Sequence, residues 1–354
     1  MSGFYLQPVG LLYGEVAREG KSCGVALPLA SGSIAFSAVR IWEGEPGCIK
    51  HTTLTVREVR ASGEPRVKEL LGRLSAPRKA IIGVSMNAPR IMGIVNVTPD
   101  SFSDGGGYVE PAAAIGHARA LAGSGADFID IGGESTRPGA APVSAEEEWR
   151  RLMPVLSGLA GQQTPLSIDT RKPEVMRRAS AIRADLINDI SALSFSPDSL
   201  ATAADIRKPV VLMHAQGDPK TMQENPAYRD VVIEVYDYLE KRIEAAASAG
   251  LPRETLIADP GIGFGKTAEH NAAILRNVSL FHGLGVPLLI GTSRKRSLQA
   301  VARVKSPKQQ TSASVASALD AISQGVQIVR VHNVEETRQA LAIWNWLRGR
   351  PDIQ

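Results

Sequence analysis

The chain has 354 residues, of which 44% are hydrophobic, 21% are charged and 5% are aromatic, and its formal net charge is +4. This is an ordinary globular composition, and the scattered basic residues argue against a nucleic-acid-binding surface. No apolar run approaches the ~18 residues of a membrane span, and the N-terminus lacks the features of a signal peptide, so we expect a cytoplasmic protein. Cys23 and Cys48, the only cysteines, have no metal-ligand spacing, and so few cysteines favour a reducing compartment.

Residues 1–89 are predicted to form a small, mainly β extension, whose role the sequence does not reveal. Apolar and polar residues alternate in "SIAFSAVRIW" and "HTTLTVREV", as they do in half-buried strands. "PRVKELLGRL" has apolar residues at helical spacing between two prolines, which predicts a helix. "KAIIGVSM" is interpreted as a further strand, at the closed end of the domain that follows.

From residue 90 onward, short apolar runs alternate with longer helical patterns. Each run is apolar until its last residues, which is typical of parallel strands buried on both faces. Eight such units predict an α/β fold, a (β/α)8 TIM barrel over residues 90–350. An open dinucleotide-binding sheet is disfavoured, because "DPGIGFGK" begins with a strand-end aspartate and is better interpreted as a βα loop. The eight runs are residues 90–97, 127–133, 165–170, 185–190, 209–214, 255–261, 287–293 and 327–333.

Two of the intervening helices have clear sequence signals. Ser144, followed three residues later by Glu147, predicts a capping box at a helix start. In the long stretch 228–250, Val231, Val235, Leu239 and Ile243 lie on one helical face. Near the C-terminus, Trp344 and Trp346 are expected to pack on the barrel rather than at an interface.

Every predicted barrel strand ends in residues that can bind a ligand or ionise. A single aspartate at such a place most often caps a helix. A whole rim of such groups, at the end of the barrel where active sites lie, predicts a binding site. The groups are Asn96, Thr98 and Asp100; Glu134, Ser135, Thr136 and Arg137; Asp169 and Thr170; Asn188 and Asp189; Met213 and His214; Asp259; Ser293, Arg294 and Lys295; and Arg330 and His332.

The rim divides into two chemical halves. One half offers carboxylates, an amide and a cation, which together suit a flat heterocycle with several N–H groups and a carbonyl. Its members are Asp169, Asn188, Asp259 and Lys295. The other half, from the first and last strands, suits a polyphosphate, with Arg330 and His332 as donors and Asn96 as a donor or a Mg²⁺ ligand. Two Gly-, Ser- and Pro-rich loops, "TPDSFSDGGGY" and "GESTRPGAAPVSAEEE", are predicted to act as lids over this mouth.

These segments together resemble the dihydropteroate synthase family. The matching stretches are "NVTPDSFSDGG", "DIGGESTRPGA", "SIDT", "INDI", "LMHAQGDPKTMQ", "DPGIGFGK", "GTSRKR" and "RVH", in the family's order over about 90–345. The resemblance implies a folate-synthesis transferase that joins 6-hydroxymethyl-7,8-dihydropterin diphosphate to p-aminobenzoate, and a sulfonamide target. It also implies a homodimer and Mg²⁺ as the cofactor. Arg296, where many relatives have serine, and the longer N-terminal extension depart from the family pattern.

The resemblance also assigns residue roles. The pterin would be held by Asp169, Asn188, Met213, Asp259 and Lys295. The diphosphate and Mg²⁺ would be held by Asn96, Arg330 and His332, with Asn96 as the metal ligand. The aminobenzoate pocket would be shaped by Thr136, Arg137, Pro138, Phe264 and Lys295. Departure of diphosphate in an SN1-like step would depend on the catalytic set Asp104, Asp169, Lys295, Arg330 and His332.

Two alternatives share the pterin site but not the reaction. A pterin-dependent methyltransferase domain would need neither "ESTRPG" nor the "SRK" and "RVH" groups. A non-catalytic pterin-binding paralogue would be marked by degenerate lid loops, and both loops are intact here.

Overall fold

The computed structural model describes residues 3–30, 32–98, 111–135, 140–217, 221–306 and 309–349. In this part of the chain, no helix is both long enough and apolar enough to cross a membrane. The described residues form an N-terminal antiparallel sheet and an eight-stranded parallel sheet.

The parallel sheet forms the predicted TIM barrel. Neighbouring strands pair in chain order from residues 90–96 to residues 256–259. The strand at 328–331 pairs with the first of these strands and with the strand at 289–290, and a parallel bridge between Ala258 and Leu288 links the two ends of this order. Each strand coincides with the central residues of a predicted apolar run. These residues are mostly apolar because both faces of the sheet are buried. The strands are β5 (Arg90–Asn96), β6 (Phe128–Gly132), β7 (Leu166–Asp169), β8 (Leu186–Asp189), β9 (Val210–Met213), β10 (Leu256–Asp259), β11 (Leu289–Ile290) and β12 (Ile328–Val331).

Helices surround the barrel. Ser144 accepts a hydrogen bond from the backbone N–H of Glu147, so the predicted cap is present, but the Glu147 side chain pairs with Arg150 and Arg151 instead of completing a capping box. All four apolar residues predicted for one face of the long helix Val231–Ser248 are buried. The barrel helices are α4 (Pro111–Gly123), α5 (Ala145–Gly158), α6 (Pro173–Ile182), α7 (Ser199–Ile206), α8 (Val231–Ser248), α9 (Ala268–Arg276), α10 (Arg296–Ala302), α11 (Thr311–Ser323) and α12 (Val334–Trp346), with 3-10 turns at Arg253–Thr255 and Val278–Leu284.

The N-terminal extension contains both strands and helices. Its central strand, Ala35–Glu45, pairs on one edge with the strand at 3–12 and on the other edge with the strands at 27–28 and 48–55. Its elements are β1 (Gly3–Leu12), α1 (Gly14–Ser22), β2 (Leu27–Pro28), β3 (Ala35–Glu45), β4 (Cys48–Thr55), α2 (Val56–Ala61) and α3 (Pro65–Ser75). Cys23 and Cys48 are exposed free thiols. The division into units 1–89 and 90–350 stays a prediction.

The extension is fastened to the barrel by buried and half-buried polar contacts. Tyr5 donates to Asp237 of α8 at 2.7 Å, and Arg73 forms an ion pair with Glu240 of the same helix. The guanidinium of Arg78, itself buried, donates to the carbonyl of His282 at 3.0 Å. The apolar core is also continuous from this sheet into the barrel.

Three sequence-based expectations are wrong in detail. "KAIIGVSM" is not a strand but a tight turn with one bridge, Ile81 to Val84, and Ile81 seals the closed end of the barrel interior. "HTTLTVREV" changes from strand to helix at Val56, because Thr55 and Glu58 form a capping box. Trp344 packs against Tyr13 as expected, but Trp346 is 73% exposed.

Candidate active site

A hydrogen-bonded network of charged and polar groups joins four strands of the barrel. Arg330 of β12 donates from Nε to Asp130 Oδ2 at 2.6 Å and from a terminal nitrogen to Asp169 Oδ2 at 2.8 Å. Asn188 donates to the same oxygen of Asp130 at 3.0 Å. Asp130 is fully buried in β6, and its second oxygen, Oδ1, has no hydrogen-bond partner. The network thus joins predicted residues of both halves of the rim through an aspartate that was not predicted.

Asp259 and Lys295 form the opposite side of the mouth. Asp259 accepts the backbone N–H of Gly261 at 2.7 Å, which fixes one of its oxygens. Lys295 Nζ lies 4.1 Å from the centre of the Phe264 ring, a cation–π contact. Phe264 belongs to a small apolar cluster with Met213, Ile190 and Met222. An apolar wall beside a polar edge is the arrangement that binds a flat, hydrogen-bonding ring.

Burial shifts the ionisation of these groups towards neutral pH. Burial raises the pKa of Asp169 to about 7, against the lowering effect of Arg330. Burial also raises the pKa of Asp259, against the hydrogen bond from Gly261. The pKa of Lys295 is lowered to about 8 by burial and by the nearby Arg330. Clustered shifts of this kind, in groups that face a common space, are typical of a functional site.

The predicted phosphate side is formed by the ends of β5 and β12, which are paired neighbours. His332 is oriented by Ser293, whose hydroxyl oxygen lies 3.0 Å from His332 Nδ1 and accepts the His332 backbone N–H. Asn96 is the last residue of β5 and is half-buried. Among the described residues, no group of three or more His, Cys, Asp or Glu side chains could hold a metal ion. A single amide oxygen therefore fits only a cation that takes its other ligands from phosphate and water, as Mg²⁺ does.

A second buried network fixes the neck of the predicted second lid. Glu134, at the end of β6, accepts the backbone N–H of Val143 at 3.1 Å, so one carboxylate joins both ends of the loop. Lys172 donates to Glu134 at 2.9 Å and to Glu148 of α5 at 2.5 Å. These three side chains are buried, and this network was not predicted from the sequence.

Not every predicted rim residue faces the mouth. Asp189 accepts from the backbone N–H groups of Ser191 and Leu193, so it stabilises the turn after β8. His214 is buried against Lys266, at 2.8 Å, and burial lowers its pKa to about 2. The predicted residues Asp100, Asp104, Thr136, Arg137 and Pro138 lie outside the described residues.

Known proteins are similar to this chain both in sequence and in fold. The family model described as "Pterin binding enzyme" matches residues 92–332, so the N-terminal extension lies outside it. The dihydropteroate synthase of Escherichia coli K12 is 46% identical over 261 residues, covering 73% of this chain and 92% of that protein. The corresponding protein of Neisseria meningitidis serogroup B is 47% identical over 271 residues, covering 75% and 94%. The chain belongs to the dihydropteroate synthase family.

Solved structures of that family agree. The Xanthomonas albilineans dihydropteroate synthase with 4-aminobenzoic acid superimposes with a TM-score of 0.72 at 48% identity, covering 76% of this chain and 97% of that one. The complex of the same enzyme with 7,8-dihydropteroate gives a TM-score of 0.69 at 45% identity, covering 76% and 97%. The family resemblance and the barrel expected from the sequence are therefore confirmed.

Proposed function

We propose that this protein is a transferase of folate synthesis. It condenses 6-hydroxymethyl-7,8-dihydropterin diphosphate with p-aminobenzoate and gives 7,8-dihydropteroate and diphosphate. The observation that supports the proposal is the Asp130–Arg330–Asp169 network, in which an arginine contacts two carboxylates within a barrel belonging to this family. A molecule with a polar heterocycle and an anionic leaving group matches both halves.

The pterin occupies the space between the polar edge and the apolar wall. Asp259 and Asp169 accept N–H groups of the ring, Asn188 provides both a donor and an acceptor, and Lys295 donates to the ring carbonyl. Met213 and Phe264 pack against the ring faces. An analogue that lacks these N–H groups leaves buried carboxylates unpaired, which supports strong selection for the pterin.

The leaving group departs on the other side. Arg330 and His332 stabilise the negative charge that develops on the diphosphate as the C–O bond to the methylene carbon breaks. Asn96 would hold a Mg²⁺ ion carried by the diphosphate, and this ion would supply further neutralisation of the phosphate charge. Electron-rich dihydropterin shares the positive charge left on carbon, so the step is SN1-like, with Asp169 as an anion of the described site. The resemblance to the family assigns Asp104 a similar catalytic role.

The aminobenzoate amine then attacks the carbon and loses a proton. Lys295 and Phe264 form the described part of its pocket, and the resemblance to the family adds Thr136, Arg137 and Pro138. Closure of the two loops would exclude water, which would otherwise capture the cation.

The proposal includes a cytoplasmic homodimer. Two exposed free thiols, Cys23 and Cys48, suit a reducing compartment. Ile343, Trp346 and Leu347 are exposed large apolar residues near the chain's end, which supports a subunit contact there. Sedimentation of wild type and Trp346→Glu tests this point: a dimer that becomes a monomer agrees with it, and a monomeric wild type contradicts it.

Product analysis tests the function. Purified protein is incubated with pterin diphosphate, p-aminobenzoate and Mg²⁺, and the products are identified by mass spectrometry. Formation of 7,8-dihydropteroate, inhibited by a sulfonamide, is the expected result. Binding of the pterin without any product would favour the non-catalytic paralogue. Methyl transfer from a methylated pterin to a corrinoid would favour the methyltransferase.

A further inference from the structure

A buried lysine outside the predicted site lies beneath the loop that follows β10. Lys266 is 3% exposed, and its ammonium group contacts His214 Nδ1 at 2.8 Å. It also donates to the carbonyl oxygens of Gly261 at 2.9 Å and Phe264 at 3.1 Å. Burial lowers the pKa of Lys266 to about 7. Its side-chain nitrogen can donate to the two carbonyl oxygens both as an ammonium and as a neutral amine.

The loop 260–265, which Lys266 follows, adopts a backbone conformation that requires glycine. Gly261 and Gly265 have positive φ angles of 69° and 62°. A Cβ at Gly261 would lie 1.9 Å from the carbonyl oxygen of His214, and one at Gly265 would lie 2.4 Å from that of Gln216. Glycine is needed at both places, and glycine-rich loops lose much entropy when they are ordered. Side chains from elsewhere must therefore hold the loop.

Several backbone N–H and C=O groups of the loop form hydrogen bonds with such side chains. Gly263 donates its N–H to Asn271 at 2.7 Å, and its carbonyl accepts from Gln223 at 2.6 Å. Tyr228 donates to the carbonyl of Gly265 at 2.7 Å. Lys266 binds two carbonyls at once, which makes it the central anchor.

The anchored segment carries two groups of the pterin site. The Gly261 N–H that fixes Asp259 belongs to the residue whose carbonyl Lys266 binds. Phe264, whose ring contacts Lys295, is held through its own carbonyl.

We propose that Lys266 is a positioning residue of the pterin site, which holds Asp259 and Phe264 in place through the loop. This inference rests on the proposed function, because it assumes that Asp259 binds the pterin. Nothing in it requires Lys266 to touch a substrate.

The test compares pterin binding by wild type and Lys266→Met, which keeps the length of the side chain but removes the donors and the charge. Calorimetry with 6-hydroxymethyl-7,8-dihydropterin gives the dissociation constant without catalysis. We expect it to rise about tenfold, the equivalent of one hydrogen bond involving a charged group. In steady-state kinetics, the KM for pterin diphosphate should rise by a similar factor, while kcat stays within about twofold of wild type. A purely structural role would lower the fraction of active protein, and with it kcat, and would leave the KM unchanged.

Two further variants complete the test. Lys241→Met makes the same change at an exposed site of α8 and should bind like wild type. Gln223→Ala removes an exposed anchor of the same loop and should weaken binding about threefold, so it decides the question if Lys266→Met does not fold. Unchanged affinity in a folded Lys266→Met, or in Gln223→Ala where it stands in, overturns the inference. A wild type that does not bind the pterin overturns the proposed function instead.

Discussion

Arg330 and Asp130 form a short ion pair at the candidate site, with 2.6 Å between Nε and Oδ2. The Asp130 side chain is fully buried, and Arg330 also reaches Asp169. An arginine that bridges two carboxylates holds both in fixed orientation, since its planar donors cannot rotate independently. Arg330 therefore orients Asp169, the carboxylate that we propose binds the pterin, together with its buried partner Asp130.

Asp130→Asn should impair both stability and catalysis. The substitution leaves Arg330 with one carboxylate instead of two, and loss of one partner of a buried pair costs about 3 kcal/mol. We expect the free energy of unfolding in urea to fall by that order and kcat/KM for pterin diphosphate to fall about hundredfold, a transition-state loss of the same order. Asp198→Asn is the matched control, because Asp198 is exposed and its side chain makes no capping bond. Wild-type kinetics in Asp130→Asn would show that the pair has no role in the site.

Pterin affinity should have a narrow optimum between about pH 7 and 8. Below it Asp169, whose pKa is about 7, is protonated and cannot accept as a carboxylate. Above it Lys295, whose pKa is about 8, loses its charge. Calorimetry with a pterin that lacks the diphosphate avoids titration of the phosphate.

Lys295→Arg provides the control for that pH profile. Arginine stays charged far above pH 8, so the alkaline limb should disappear while the acid limb stays in place.

Because burial raises the pKa of Asp169 above its ordinary 3.8, the folded chain binds this proton more tightly than the unfolded chain. The contribution of Asp169 to stability should therefore decrease as the pH rises from about 4 to 7. Affinity that is flat from pH 6 to 9 would contradict these assignments.

Lys172→Met should destabilise the neck of the second loop. It leaves Glu134 and Glu148 buried without their shared cation, and removing one partner of a buried pair costs about 3–5 kcal/mol. Urea denaturation measures the loss, and the KM for p-aminobenzoate should rise while the pterin dissociation constant stays constant. Adding Glu148→Gln should restore part of the stability, because one buried charge fewer is left unpaired. Unfolding of Lys172→Met at the wild-type urea concentration would contradict this role, and Lys241→Met is again the control.

Tyr5→Phe tests whether the N-terminal extension is a structural part of the barrel. The lost hydrogen bond to Asp237 should cost about 1–2 kcal/mol of unfolding free energy, without a change in kcat. A cycle with Asp237→Asn should be non-additive, because each change removes the same bond. Additive effects, or a separate unfolding transition for the extension, would show that the two parts are not coupled through this contact.

The sequence predicted the barrel well because eight apolar runs, each buried on both faces, leave few alternatives. The change from strand to helix at Val56 was missed because the apolar alternation continues past it, although Thr55 and Glu58 have the spacing of a capping box. Glu147 satisfied the same pattern, yet two arginines compete for its side chain. Local patterns of this kind do not determine tertiary partners.

Strand-end residues predicted much of the site, but the supporting residues were not found. Asp130 lies inside an apolar run rather than at its end, and the available signal was a charged residue in a strand that is otherwise buried. Lys266 is the last residue of "DPGIGFGK" and Lys172 lies two residues after "SIDT", and neither local pattern indicates what these lysines contact. Their partners come from distant positions in the chain, such as His214 and Glu134, and only the folded barrel brings them together.

The most direct measurement is diphosphate release by the purified protein in the presence of pterin diphosphate and Mg²⁺, with and without p-aminobenzoate. We predict sustained release only with p-aminobenzoate, in equal amounts with 7,8-dihydropteroate, and its loss in Asp130→Asn. Tight pterin binding with no diphosphate release under any condition would contradict the proposed reaction.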